Sequence, residues 1–155
     1  SLSNGAVYAD LDNDGDLDLV TNNINEPAGI YRNMAESLTK NNYLKVHLHG
    51  QGGNTYGIGA KVIIKHKGEV QVQQLMPTRG FLSSVEPVLN FGLGSQPEID
   101  TLILLWGNNK TKIKEHPTAN TVLKFRQEET LEVTNCLFEM IFKKQPPFTQ
   151  SIIHL

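Results

Sequence analysis

The chain has 155 residues, 39% of them apolar, which suffices for one domain with a real core or a small domain with appendages. Fourteen basic against 16 acidic residues give a net charge of -2, and the absence of any basic run or basic–aromatic interleaving argues against nucleic acid as a partner. No apolar stretch is long enough to span a bilayer, no signal-peptide pattern opens the chain, and the single cysteine, Cys136, excludes an internal disulfide or a cysteine zinc site.

In chain order, Gly5-Ala6-Val7-Tyr8-Ala9 and Leu19-Val20-Thr21-Asn22 are small, aromatic and β-branched, and predict two short strands. Between them runs Asp10-Leu11-Asp12-Asn13-Asp14-Gly15-Asp16-Leu17-Asp18, five carboxylates in nine residues. At spacings of roughly 5 Å each pair repels by about 1 kcal/mol even in water, and by more in a partly buried loop. A bound cation reverses that sign. Ca²⁺ takes about six to eight oxygen ligands in a tolerant geometry, whereas Mg²⁺ demands near-octahedral order and keeps its waters. In such a loop Asp10, Asp12 and Asp14 supply side-chain oxygens, and Gly15 permits the turn. Asp16 then presents its carbonyl and Asp18 closes the loop. These five aspartates are the expected metal ligands, with Ca²⁺ as the cofactor. The bland alternative, a solvated acidic turn, does not account for the glycine at the sixth position or the strict alternation. An EF-hand needs a glutamate at the twelfth position, where Thr21 stands, and both it and a dockerin-type module need helical flanks.

With its flanks, the stretch 5–20 resembles an FG-GAP (VCBS-type) repeat, the calcium-loop unit of integrin-type β-propellers and many bacterial extracellular proteins. Gly29-Ile30-Tyr31-Arg32-Asn33 fits the third strand of such repeats. The resemblance implies a hairpin-like blade element with Ca²⁺ held at its turn. Residues 34–42 are polar and read as the boundary of this unit.

Tyr43-Leu44-Lys45-Val46-His47-Leu48-His49 alternates, so Leu44, Val46 and Leu48 face a core while Lys45, His47 and His49 face away. With no third ligand nearby, the two histidines read as solvent-face residues. Residues 61–66 and 69–75 form a hairpin through Lys67-Gly68. Gly57-Ile58-Gly59 precedes a strand and has no helix N-terminus to offer a phosphate. Further strands are expected at 88–91, 99–106 and 120–126, with Gly107-Asn108-Asn109 turning into 110–114. Many short strands separated by Gly, Asn and Pro turns predict an all-β chain, an antiparallel β-sandwich preceded by the hairpin that carries the Ca²⁺ loop. Its expected core takes Val46, Val62, Ile64 and Val72, with Phe91, Ile103, Leu105 and Leu123.

Three motifs in this region, Gly57-Ile58-Gly59-Ala60, Arg79-Gly80-Phe81-Leu82-Ser83-Ser84 and Phe91-Gly92-Leu93-Gly94, resemble the ASPIC/UnbV domain, as do Trp106 and Asn120. Gly107 departs from the family, which usually has proline after this tryptophan; the change is one of turn geometry. The two resemblances imply an exported, multi-repeat protein of a kind not known as enzymes. They predict a calcium-binding repeat over 1–40, a sandwich over 41–130 and a connector over 131–155 toward a following module. The chain is accordingly expected to be a segment of a longer protein.

No catalytic frame is legible. Ser83, Ser84 and Cys136 lie outside any nucleophile elbow, the serines read as local backbone caps, and the aspartates are too close together to flank a glycosidic bond. Arg79 reads as a structural contact. The expectation is a non-enzymatic, calcium-binding, exported protein, extracellular, periplasmic or on the cell surface. It would mediate adhesion or ligand binding, with a protein or glycan ligand and adjacent repeats of its parent as partners. A glycan-recognition accessory of a carbohydrate-processing enzyme is the alternative. It would need an aromatic platform from Trp106, Tyr43, Tyr56 and Phe81.

Overall fold

A computed structural model of the protein describes residues 2–108, 110–129 and 131–132. Apart from its first two positions, the expected connector over 131–155 lies outside the described residues. The fold is all-β, as expected. Strands β1 (Ser3–Ala9), β2 (Asp18–Asn23) and β3 (Gly29–Tyr31) form a three-stranded antiparallel sheet in chain order. Val7, Val20 and Ile30 lie opposite one another across it, and so do Tyr8, Leu19 and Tyr31. Directly opposite residues share a face, so the sheet has one aliphatic and one aromatic row. A single helical turn, α1 (Ala35–Leu38), leads to β4 (Asn42–His49).

The sandwich has two facing sheets. In the first, β4 lies between β7 (Val88–Gly94) and β10 (Thr121–Arg126). In the second, β5 (Lys61–His66), β6 (Glu69–Gln74), β8 (Thr101–Leu105), β9 (Lys110–Glu115) and β11 (Leu131–Glu132) are ordered β11-β9-β8-β5-β6. Among the described residues all strand pairings are antiparallel except one: β10 runs parallel to β4. A hairpin cannot make that pair, and here the second sheet supplies the long crossover.

Alternation decides the core. Leu44, Val46 and Leu48 of β4 meet Leu89, Phe91 and Leu93 of β7, and across the gap lie Val62, Ile64, Leu102 and Leu104. Burying such side chains stabilises by roughly 1.5–3 kcal/mol each. Trp106 closes one end over Gly57, where φ is +67° and a Cβ would come within 2.7 Å of the indole. Glycine is therefore required there twice over, for its dihedral and for its size.

Two of the expected core positions, Val72 and Leu105, need correction. Val72 is 57% exposed. It sits on β6, a sheet edge, and the inward positions of that strand are Gln71 and Gln73. Their amides donate to the carbonyls of Gly92 (2.9 Å) and Asn90 (2.7 Å) on β7. Where the sandwich opens at its side, the inward face meets edge-strand carbonyls, so glutamine serves better than valine. Leu105 is half-buried; Ile103 is buried as expected, on the opposite face of β8 from Leu102 and Leu104. Among the described residues no helix is long and apolar enough to cross a membrane.

Candidate metal centre

The β1–β2 turn is built by two left-handed residues, Asn13 (φ +62°) and Gly15 (φ +107°). Asn13 tolerates that conformation through its short polar side chain, and glycine adopts it freely. The carboxylate of Asp10 caps the turn from within. Its Oδ1 accepts the N–H of Asp14 at 3.1 Å and its Oδ2 that of Gly15 at 3.2 Å. Asp14 Oδ1 in turn accepts the N–H of Asp16 at 3.1 Å.

This folding brings one carboxylate oxygen from each of Asp10, Asp12 and Asp14 within 4.8 Å of one another. That span is about twice a Ca²⁺–oxygen bond of roughly 2.3–2.6 Å, so one hard cation can touch all three. The donor set, oxygen throughout and triply negative, fits that ion. Asp16 and Asp18 lie outside this group of three. Asp16 is half-buried on the far side of the glycine. Asp18 is buried at the start of β2, where it accepts the N–H groups of Leu11 (3.1 Å) and Asn33 (2.8 Å). It thereby fastens both ends of the loop and the exit of β3. Asn33 also donates its side-chain amide to the carbonyl of Leu17 at 3.3 Å.

Two cationic side chains approach the same carboxylates. Arg32, just beyond β3, places Nε 2.9 Å from Asp12 and Nη2 3.3 Å from Asp14, with its side chain 57% exposed. Lys45, on the outer face of β4, bonds Asp10 Oδ2 from a far drier position; the side chains are 12% and 6% exposed. The backbone N–H of Asp16 holds the Asp14 carboxyl below the usual range; burial opposes this, and Arg32 and Asp12 add to it. Burial pulls the Lys45 ammonium below the ordinary lysine value, against an opposing push from Glu86. Beside it, the Tyr43 ring lies against Gly15, at the place a Cβ would occupy.

Sequence reasoning missed the part played by Lys45 and Tyr43. Alternation along β4 turns Lys45 outward correctly, but it does not say that the Asp loop covers that face. The two histidines do turn outward as expected, and His47 is half-buried, bordering two clefts. Between the Asp loop and the outer face of the first sheet is a cleft of about 760 Å³, bordered by Tyr8, Asn13, Tyr43, His47 and Glu86. Arg79 donates Nε to the Tyr8 hydroxyl at 3.0 Å, tying the loop before β7 to β1. Ser83 bonds the carbonyl of Phe81 at 2.8 Å, the local capping expected of it. Of the four aromatic residues, Trp106 is in the core and Tyr43 is under the Asp loop, while Tyr56 and Phe81 are exposed and border separate clefts.

Residues 50–132, more than half of the chain, match the family model described as ASPIC and UnbV. Cartilage acidic protein 1 of Homo sapiens is 29% identical over 137 residues, covering 83% of this chain and 20% of that protein. The proteins of the same name from Xenopus tropicalis and Mus musculus are 30% and 32% identical over 110 residues, each covering 68% of this chain and 16% of the relative. The chain thus spans a fifth or less of the length of these relatives. On the family match and these identities, the chain belongs to the ASPIC and UnbV family.

Proposed function

We propose that the chain is a non-enzymatic, calcium-binding part of an exported protein, in which the ion has a structural role in holding a binding surface. The observation that carries this reading is the convergence of Asp10, Asp12 and Asp14 on one point of a glycine-turned hairpin. Asp16 joins through its carbonyl, and Asp18 closes the loop. When bound, Ca²⁺ neutralises the mutual repulsion of the carboxylates and fixes the β1–β2 turn. The similarity to cartilage acidic protein 1 supports an extracellular setting, where the high free Ca²⁺ suits a small flexible Asp loop.

The FG-GAP-type reading of 1–40 and the sandwich over 41–130 make the three-stranded sheet one member of a series. Its Tyr8–Leu19–Tyr31 row is exposed, as is the tip Phe81-Leu82, which borders a cleft with Val7 and Val20 of the other row. Exposed apolar rows on a small sheet with open edges suit packing by a neighbouring repeat of a longer protein. A protein or glycan ligand, held for adhesion, is the partner class that follows for the assembled surface.

Calorimetric titration with Ca²⁺ tests the site. Asp12→Asn and Asp14→Ala are expected to weaken binding by about an order of magnitude or more, and Asp16→Asn only mildly, because that residue supplies its carbonyl. Equal losses at all three positions would contradict the ligand assignment, and absence of saturable binding in the unaltered protein would overturn the reading.

A further inference from the structure

The two cations around the Asp loop are not equivalent. Arg32 is largely in water, where an ion pair contributes little and its loss is compensated by hydration. Lys45 and Asp10 are both nearly buried, and there a charge that loses its partner is left without compensation. Lys45 belongs to the central strand of the first sandwich sheet, whereas Asp10 belongs to the turn of the three-stranded sheet. The pair therefore spans the junction between the two sheets.

Asp10 is also the most committed of the three clustered carboxylates. Both its oxygens already accept backbone N–H groups that define the turn, from Asp14 and Gly15. Those bonds cannot be given up without unmaking the loop. The Lys45 ammonium on Oδ2 is the one contact that a cation can replace. A doubly charged ion among these carboxylates would sit within a few ångströms of that ammonium, and the repulsion in a partly buried site exceeds that in water.

We propose that Lys45 is an internal competitor for the cation at Asp10: it holds the metal-free loop against the sandwich and is displaced when the ion binds. The inference rests on the calcium reading above and adds to it a determinant of affinity and a route for coupling. Lys45 Nζ lies 5.6 Å from the centre of the Tyr43 ring, and that ring packs on Gly15. Displacement of the ammonium therefore disturbs the contact between loop and β4. Ion occupancy is in this way transmitted from the hairpin to the sandwich.

The test is a Ca²⁺ titration of the unaltered protein, Lys45→Met and Lys45→Arg, paired with nuclear magnetic resonance of the Lys45 side chain in the unaltered protein. Lys45→Met is expected to bind Ca²⁺ at least about tenfold tighter, while Lys45→Arg, which keeps the charge, stays within about threefold. The Lys45 side-chain resonances are expected to shift as Ca²⁺ saturates. Lys45→Met binding no tighter than the unaltered protein overturns the proposal and leaves the calcium site standing. Lys45 resonances unmoved at saturation do the same, and this arm needs no variant to fold. Absence of saturable binding in all three proteins removes the calcium site itself.

Discussion

Gly15 carries two constraints at once: a φ of +107°, which L side chains rarely adopt, and the Tyr43 ring lying where a Cβ would go. Backbone strain of this kind costs about 1–3 kcal/mol before any steric clash. Gly15→Ala is therefore expected to destabilise the protein by about 2 kcal/mol or more, read from denaturant midpoints, and a neutral result would show that the turn relaxes without it. His47 offers a second check at this scale. Burial lowers its pKa, Glu86 opposes this, and Lys124, His49 and Lys45 lower it further. The unfolded chain then takes up a proton before the folded one does. Stability is full above the free-histidine value of about 6.5 and is lost as pH falls toward the lower folded value. The melting temperature is expected to drop as pH falls below about 6.5, and His47→Gln to flatten that slope. The glycine and the alternating aspartates were legible in the sequence because a loop of this geometry needs them at fixed spacing. The partners of Lys45 and His47 were not, because alternation assigns a face and is silent about what covers it.

The strands themselves follow from short alternating runs and turn residues, and most of the core follows with them. Phe91, fully buried between the sheets, is the clearest case; Phe91→Ala is expected to cost about 3–5 kcal/mol in chemical denaturation. The error at Val72 has a physical cause. Both phases of β6 are plausible as a core face, since one shows valines and the other glutamines with long apolar stems. What decides is the presence of unpaired carbonyls on β7, which only the assembled sandwich reveals. Gln73→Ala removes one such bond and is expected to cost about 1 kcal/mol, and more if the carbonyl of Asn90 is left dry. A change well under half of that would show that the side-to-side closure is incidental. The parallel β4–β10 pair was also beyond reach, because strand direction in a crossover is set by the second sheet and leaves no mark on either strand's own sequence.

At the scale of the whole molecule, a three-stranded sheet with an exposed aromatic row is fastened to a fully built sandwich at a few points: Asp10–Lys45, Gly15 on Tyr43, and Arg79–Tyr8. Among the described residues the buried apolar cluster belongs to the sandwich, and the small sheet contributes nothing to it. Stability of the small sheet therefore depends on the loop that docks it, and the loop's carboxylates favour order only when cations neutralise them. Ca²⁺ is proposed to supply what Arg32 and Lys45 supply in part. The most direct measurement is thermal unfolding in Ca²⁺, in Mg²⁺ and in chelator. At a Ca²⁺ concentration about a hundredfold above Kd, linkage adds about 2.7 kcal/mol, a rise of roughly 5 °C or more for a chain of this size. A rise in Ca²⁺ that Mg²⁺ does not reproduce is the predicted result; the same melting temperature in all three conditions would contradict a structural role for the ion.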